Sequence, residues 1–417
     1  MRGKYLARHA EPEAAFAAAA EGTWDHVVVV PACAEPSDAL AGLSPACAGR
    51  RVLGIVVVNG RGEHEAAVHG MNEALLAALI RGGDALASGL WLVRGEPDLL
   101  VVDRASEGRR FGPKDGVGLA RKIGCDLALG LGERVGSRWI HMTDADVRLG
   151  PAYFDAAPDE AQQASAFVRH FEHVPSGDVA IDDAHIRYEL SLRYYVLGLR
   201  WAGSPYAFHT VGSTLGVDAR AYAGVRGVPR RQAGEDFYLL NKLAKLGPVV
   251  RVDREPVRIM SRASSRVPFG TGPAVRRLLG RAEGPDVYAP ESFVALRAWM
   301  GVLGRAGEGE GGWDERELDA LPSPIREALE SGLDRLGARS ALTELHRRHT
   351  GAARARQLHA WFDGFRTLKL VHALRDSGLA DLPWREAFGR APFLAGLDAS
   401  ADAAAVRADL IERELGS

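Results

Sequence analysis

The sequence predicts an α/β protein, with a mostly parallel sheet flanked by helices in roughly its first two thirds and an all-helical region after it. Three observations carry this. Residues 27–31, 53–58 and 99–103 are unbroken apolar runs rich in β-branched side chains, as expected of parallel strands buried on both faces. The segments between them carry leucines at helical spacing, so strands alternate with crossover helices. From about residue 273 the composition turns to Ala, Leu, Arg and Glu with helical periodicity.

Residues 1–25 read as a helical extension, short or frayed and of little functional content. The first strand, 27–31, is ended by Pro31, and residues 37–46 form a short helical turn. The second run stops at Asn59-Gly60. A helix over 65–86 carries Leu75, Leu76, Leu79 and Ile80, and the third run ends at Asp103. After a basic, glycine-bearing loop, 104–114, comes a helix with Leu119, Ile123, Leu127 and Leu131 on one face. Ala120, Gly124 and Ala128 beside them let it lie close to a sheet. Residues 138–147 run an apolar strand into Asp144-Ala-Asp146. Beyond it a helix is expected over 151–163, a strand over 164–171, a long helix over 181–201 and a strand-like, hydroxyl-rich stretch over 206–217. A helix over 237–246 and a strand over 248–253 follow. Further helices are expected at 289–305, 324–336, 339–349, 351–377 and 401–415. The domain reading is an extension over 1–25, a sheet domain over 26–272 and a helical domain over 273–417.

Composition narrows the function classes. The 417 residues are 47% hydrophobic with a formal net charge of -2, which disfavours nucleic acid or an anionic membrane as the main partner. Three scattered cysteines make neither a disulfide framework nor a zinc site and fit a reducing compartment. No apolar run reaches the roughly 18–20 residues of a membrane span, and the start has no clear signal-peptide core. The expectation is a cytoplasmic protein.

Two acidic clusters draw attention. Asp144 and Asp146, one residue apart at a strand end, can both turn toward one hard cation while a diphosphate fills its remaining positions; the bland alternative is a surface turn. Gly234-Glu235-Asp236 opens a helix, where the dipole alone favours carboxylates, yet a carboxylate held there can also take a proton from an acceptor hydroxyl. Arg109, Arg110, Lys114, Arg121 and Lys122 give a positive edge near the carboxyl ends of the strands, where open α/β sheets bind ligands, or simply a solvated basic loop. Arg262 and Arg266, in a hydroxyl- and glycine-rich loop, suit a leaving diphosphate as bidentate donors, unless that loop is only a linker. Gly212, Ser213 and Thr214 suit a sugar or acceptor pocket or a tight core strand. His209 is either a third metal ligand or an acceptor contact, or a structural histidine beside aromatics.

The ordered set of Val-Val-Val-Val-Pro-Ala-Cys-Ala-Glu35, Gly-Val-Gly-Leu-Ala-Arg-Lys-Ile-Gly124, Thr-Asp-Ala-Asp146, Gly-Ser-Thr-Leu-Gly216 and Gly-Glu-Asp236 resembles the family 2 glycosyltransferases of the GT-A fold, over roughly residues 26–255. The resemblance implies a nucleotide-sugar donor over the first half of the sheet, with Pro31, Glu35, Asn59 and Asp103 on the nucleotide side. It also implies a divalent cation (Mn2+ or Mg2+) held through Asp146 with Asp144 near the donor, and Asp236, with Glu235 beside it, as the base of an inverting transfer. Asn59 departs from the family's usual Asp, and no Gln-x-x-Arg-Trp motif follows Gly-Glu-Asp, which points away from a processive synthase and toward one transfer to a soluble acceptor. A retaining transferase of the mannosylglycerate-synthase type, acting on an acidic acceptor, and a catalytically inactive glycosyltransferase-like binding protein are the other readings. The helical region packs on the sheet, lines the acceptor cleft or mediates a homodimer.

Overall fold

In the computed structural model the described residues are 1–155, 157–158, 163–262, 270–281, 283–308 and 318–416. They form two compact units, 1–177 with 210–273 and 178–209 with 274–417. Residues 178–209 therefore group with the C-terminal helices, whereas the sequence reading places them inside 26–272.

The first unit is built on a ten-stranded sheet. Its strands are β1 (His26–Ala32), β2 (Val52–Asn59), β3 (Asp84–Ala87), β4 (Leu90–Val93), β5 (Asp98–Arg104), β6 (Trp139–Met142), β7 (Val147–Arg148), β8 (Ala166–Val174), β9 (Leu215–Asp218) and β10 (Val249–Met260). They lie in the order β3-β4-β5-β2-β1-β6-β9-β8-β10-β7. β5, β2, β1 and β6 are mutually parallel, and β9 runs antiparallel to both β6 and β8. This is the Rossmann-like, GT-A-type sheet expected from the sequence, and the C-terminal region that accompanies it is helical apart from one short strand pair. The apolar runs explain the centre: Val27 to Val30 on β1 and Ile55 to Val58 on β2 are at most 1% exposed, and both strands have neighbours on either side. Each buried valine contributes roughly 1.5–3 kcal/mol by leaving water.

The helices of this unit are α1 (Arg2–Arg8), α2 (Ser44–Cys47), α3 (Ala66–Leu79) and α4 (Val117–Leu131). After α5 (Val179–Trp201), which belongs to the other unit, come α6 (Ala219–Gly224) and α7 (Glu235–Leu243). α4 lies tight on β1, because a Cβ at Gly124 would stand 2.3 Å from Val29 Cγ1. Its far side holds the N-terminal segment, which is docked rather than frayed. Tyr5 and Tyr222 donate to Asp126 Oδ1 at 2.6 and 2.7 Å, and Lys122 Nζ and the Glu11 amide reach Oδ2 at 2.7 and 2.8 Å.

Several expectations change. β1 runs through Pro31 to Ala32 instead of stopping there. Val29 and Pro31 point their backbone groups to the same side, toward β6, and that pairing ends at Val29, so the missing N–H breaks no ladder bond. The helix expected to reach 86 stops at Leu79, and an antiparallel hairpin, β3–β4, closes the sheet edge. Residues 151–155 are consecutive turns rather than helix, and residues 156 and 159–162 of that expected helix lie outside the described residues. Only 215–217 of the 206–217 stretch is strand, the start of β9; a 3-10 turn, Gly212–Thr214, precedes it.

The second unit contains α5, most of α8 (Thr271–Leu278), α9 (Pro290–Glu308), α10 (Ser323–Arg335), α11 (Ala338–Arg348), α12 (Gly351–Trp361), α13 (Gly364–Asp376), α14 (Trp384–Arg390) and α15 (Ala403–Leu415), with a short antiparallel pair, β11 (Asp286–Val287) and β12 (Leu382–Pro383). Its core gathers Tyr194, Phe293, Trp299, Leu329, Leu370, Leu374 and Phe388. The single helix expected over 351–377 is broken because Asp363 accepts from Arg366 N at 3.0 Å and caps α13. The last helix is pinned from inside by Glu414, which takes Arg193 Nη1 at 2.5 Å and His209 Nε2 at 2.8 Å. Among the described residues no helix is long and apolar enough to cross a membrane.

Candidate active site

The carboxyl ends of the four parallel strands bring the acidic residues to one edge of the sheet. β1 leads to Glu35, β2 ends at Asn59, β5 carries Asp103 just before its end, and β6 leads to Asp144 and Asp146. This is the edge at which open α/β sheets bind ligands.

Arg121 of α4 joins the two acidic clusters. Its Nη2 reaches Asp144 Oδ1 at 2.6 Å, its Nε reaches Glu235 Oε1 at 2.8 Å, and its Nη1 donates to the Gly212 carbonyl at 2.7 Å. The guanidinium is buried and Glu235 nearly so, while Asp144 opens to solvent. Burial and the Glu235 charge push the Asp236 carboxyl up to about 7, against the pull of Arg121; the Asp144 charge acts in the same raising direction. Burial also raises Glu235, with Arg121 opposing. The sequence reading gives Arg121 a donor contact; the structure makes it the tie between strand β6 and helix α7. The turn that precedes α7 depends on Gly234, whose φ of 69° lies in the left-handed region.

A second arginine serves the other carboxylate. Arg262 places Nη1 and Nη2 on Glu35 Oε2 and Oε1 at 2.8 and 3.0 Å, and Nη2 also lies 2.5 Å from Asp146 Oδ2. Asp144 and Asp146, the two residues expected at a metal, are therefore each paired with an arginine. Their oxygens have the hardness that Mg2+ or Mn2+ prefers. Among the described residues no three His, Cys, Asp or Glu side chains gather as a metal set, so a cation here would need further oxygens from a diphosphate or water.

The other expected residues take varied places. Asp103 accepts the amides of Ala105 and Ser106 at 2.9 Å each and faces Arg109 Nε at 3.6 Å, which orders the loop after β5. Asn59 is buried, and its amide donates to the Ala32 and Val57 carbonyls, so it fastens β2 to β1. Ser213 and Thr214 are buried, Thr214 Oγ1 donates to the Val211 carbonyl, and the 3-10 turn supports Arg121 through the Gly212 carbonyl. A Cβ at Gly212 would stand 2.5 Å from Arg121 Nη2. Lys114 is exposed on the loop before α4, and Arg266 lies outside the described residues. His209 belongs to the helical unit, where its Nε2 is engaged by Glu414, and it joins no metal-binding group among the described residues.

Sequence reasoning misses Asn72. From the buried face of α3 its Oδ1 accepts the Ala34 amide at 2.7 Å and its Nδ2 donates to the Asn59 carbonyl at 3.0 Å. That holds Ala34 at a φ of 53° and so aims Glu35. The signal available is an asparagine among the leucines of an apolar helical stripe.

No protein-family model matches this sequence, and no curated protein matches it either. Among solved structures, S. aureus TarS 1-349 in complex with UDP-GlcNAc is similar at 9% identity, with 78% of this chain and 92% of that chain covered and a TM-score of 0.34. At that TM-score the likeness carries no weight for function.

Proposed function

We propose that the protein is a glycosyltransferase that moves one sugar from a nucleoside-diphosphate sugar to a hydroxyl of a soluble acceptor, with inversion. The observation that carries this reading is the guanidinium of Arg121 shared by Asp144, at the strand end, and Glu235, at the start of α7. One guanidinium thus links a residue of the acidic cluster expected beside the donor to one of the cluster expected beside the acceptor.

The donor's nucleotide lies over the ends of β1, β2 and β5, near Pro31, Glu35 and Asp103. As the glycosidic bond breaks, positive charge grows at the anomeric carbon and negative charge on the departing diphosphate. Arg262 receives the latter as a bidentate donor, turning its fork from Glu35 to the diphosphate. Asp146, with Asp144 near it, is the residue that would hold a divalent cation; when bound, that ion adds positive charge beside the diphosphate. Asp236 takes the acceptor's proton. A carboxylate whose pKa is near 7 is a stronger base than an ordinary one and is about half ionised at neutral pH, which suits that task.

The test is turnover of a panel of nucleotide sugars, with and without manganese, read as released nucleoside diphosphate. One donor should be consumed by the wild type and at least about a hundredfold more slowly by Asp236→Asn. The anomeric configuration of the product, read by proton NMR, must be inverted; retention would remove Asp236 from the base role. If no donor binds or turns over, the enzyme reading fails and a binding protein on the same fold takes its place.

A further inference from the structure

One nitrogen of Arg262, Nη2, is flanked by two carboxylates from different strand ends, 2.5 Å from Asp146 Oδ2 and 3.0 Å from Glu35 Oε1. Glu35 is 5% exposed and Asp146 16%, while Arg262 is 34% exposed, so the acids form the floor and the arginine the open side. A hard divalent ion placed at that nitrogen would meet both acids after each moved in by about half an ångström to one ångström, to the roughly 2.0–2.1 Å that Mg2+ prefers. It cannot arrive while the guanidinium is there, because the position is taken and the charges repel.

A diphosphate is the chemistry able to draw the arginine off, since its oxygens accept both guanidinium nitrogens in a plane as Glu35 does and carry more charge. We propose that Arg262 is the resident cation between Glu35 and Asp146, and that a divalent ion takes its place only when a bound diphosphate claims the guanidinium. Metal and nucleotide then bind as a coupled pair, and Glu35 is a metal ligand as well as a nucleotide-side residue. The diphosphate half of this rests on the nucleotide-sugar reading; the exclusion of metal by Arg262 does not.

The experiment measures Mn2+ binding by loss of the free-ion electron paramagnetic resonance signal, without nucleotide, in the full-length wild type and in Arg262→Gln, Arg262→Lys and Arg262→Gln with Glu35→Gln. Thermal melts are run alongside to establish that each is folded. Arg262→Gln should bind Mn2+ at least about tenfold tighter than the wild type. Arg262→Lys, which keeps the charge, should stay near the wild type, and the added Glu35→Gln should abolish the gain. Equal affinity in wild type and Arg262→Gln overturns the proposal. So does a gain that Arg262→Lys shares, or one that survives loss of Glu35. In a second arm, uridine, guanosine and adenosine diphosphates are titrated into the wild type by calorimetry and then combined with Mn2+. A diphosphate that binds should raise Mn2+ affinity to the Arg262→Gln level, and one that binds without doing so overturns the exchange. If none binds, the nucleotide-sugar reading fails, while the nucleotide-free comparison still decides whether Arg262 keeps the metal out.

Discussion

Replacing Asp236 with asparagine should make the protein more stable at alkaline pH while disabling it. The carboxyl is held at about 7, against 3.8 for an ordinary aspartate, by burial and by the neighbouring Glu235 charge. A raised carboxyl pKa means that between about pH 4 and 7 the folded chain keeps a proton that the unfolded chain has released. Stability therefore falls as pH rises through that window and levels off above it. Three pKa units correspond to about 4 kcal/mol as an upper limit, and since Asp236 titrates together with Glu235 an observed difference of about 2–4 kcal/mol is expected at pH 8. The asparagine side chain has no proton to lose, so the variant should match the wild type near pH 4 and exceed it above pH 7. Urea unfolding of both proteins at half-unit steps from pH 4 to 8.5 measures this directly. Parallel stability profiles would refute the burial and charge coupling from which the base role is argued.

Four other outcomes follow from the same geometry. Arg121→Met leaves Glu235 buried beside Asp236 with no counter-charge and should cost about 3–5 kcal/mol at pH 8, with part recovered at pH 5 as the carboxyls protonate; denaturant titration at both values checks it. Gly124→Ala drives a methyl into Val29 and should cost about 1–3 kcal/mol, read as a lower melting temperature. Tyr5→Phe removes one of the donors to Asp126 and should cost about 1 kcal/mol, showing by hydrogen exchange as earlier opening of residues 2–8. Glu414, drawn down to about 2 against its own burial by His209 and Arg193, contributes stability above about pH 4.5 that is lost as pH falls toward 2; Glu414→Gln should therefore flatten the acid limb of the helical unit's unfolding curve.

The fold was legible because burial on both faces leaves a direct mark: 27–31, 53–58 and 99–103 are apolar at nearly every position, and they are the three neighbouring parallel strands β1, β2 and β5. The hairpin over 84–93 was not, since its strands are short and one edge is exposed, leaving no clean period of two. Of the candidate site, Asp144, Asp146, Glu235 and Asp236 were legible as carboxylates at strand and helix ends. What they bond to was not. Whether Arg121 faces a phosphate or ties two carboxylates depends on a contact 114 residues away in the chain. His209 shows the opposite error, where a histidine near a Gly-Ser-Thr segment invites a ligand reading and its actual partner, Glu414, lies 205 residues on. Asn59 and Asn72 are plain in the sequence, but their roles as fasteners appear only once β1, β2 and α3 are packed together.

The central claim is that a nucleoside diphosphate sits at the carboxyl edge of β1, β2, β5 and β6. Hydrogen–deuterium exchange with and without saturating nucleoside diphosphate locates it most directly. Protection should concentrate in residues 32–36, 60–64, 104–111 and 143–147, with little change in 318–416. Protection confined to the helical unit, or none anywhere with a nucleotide that demonstrably binds, would contradict the account.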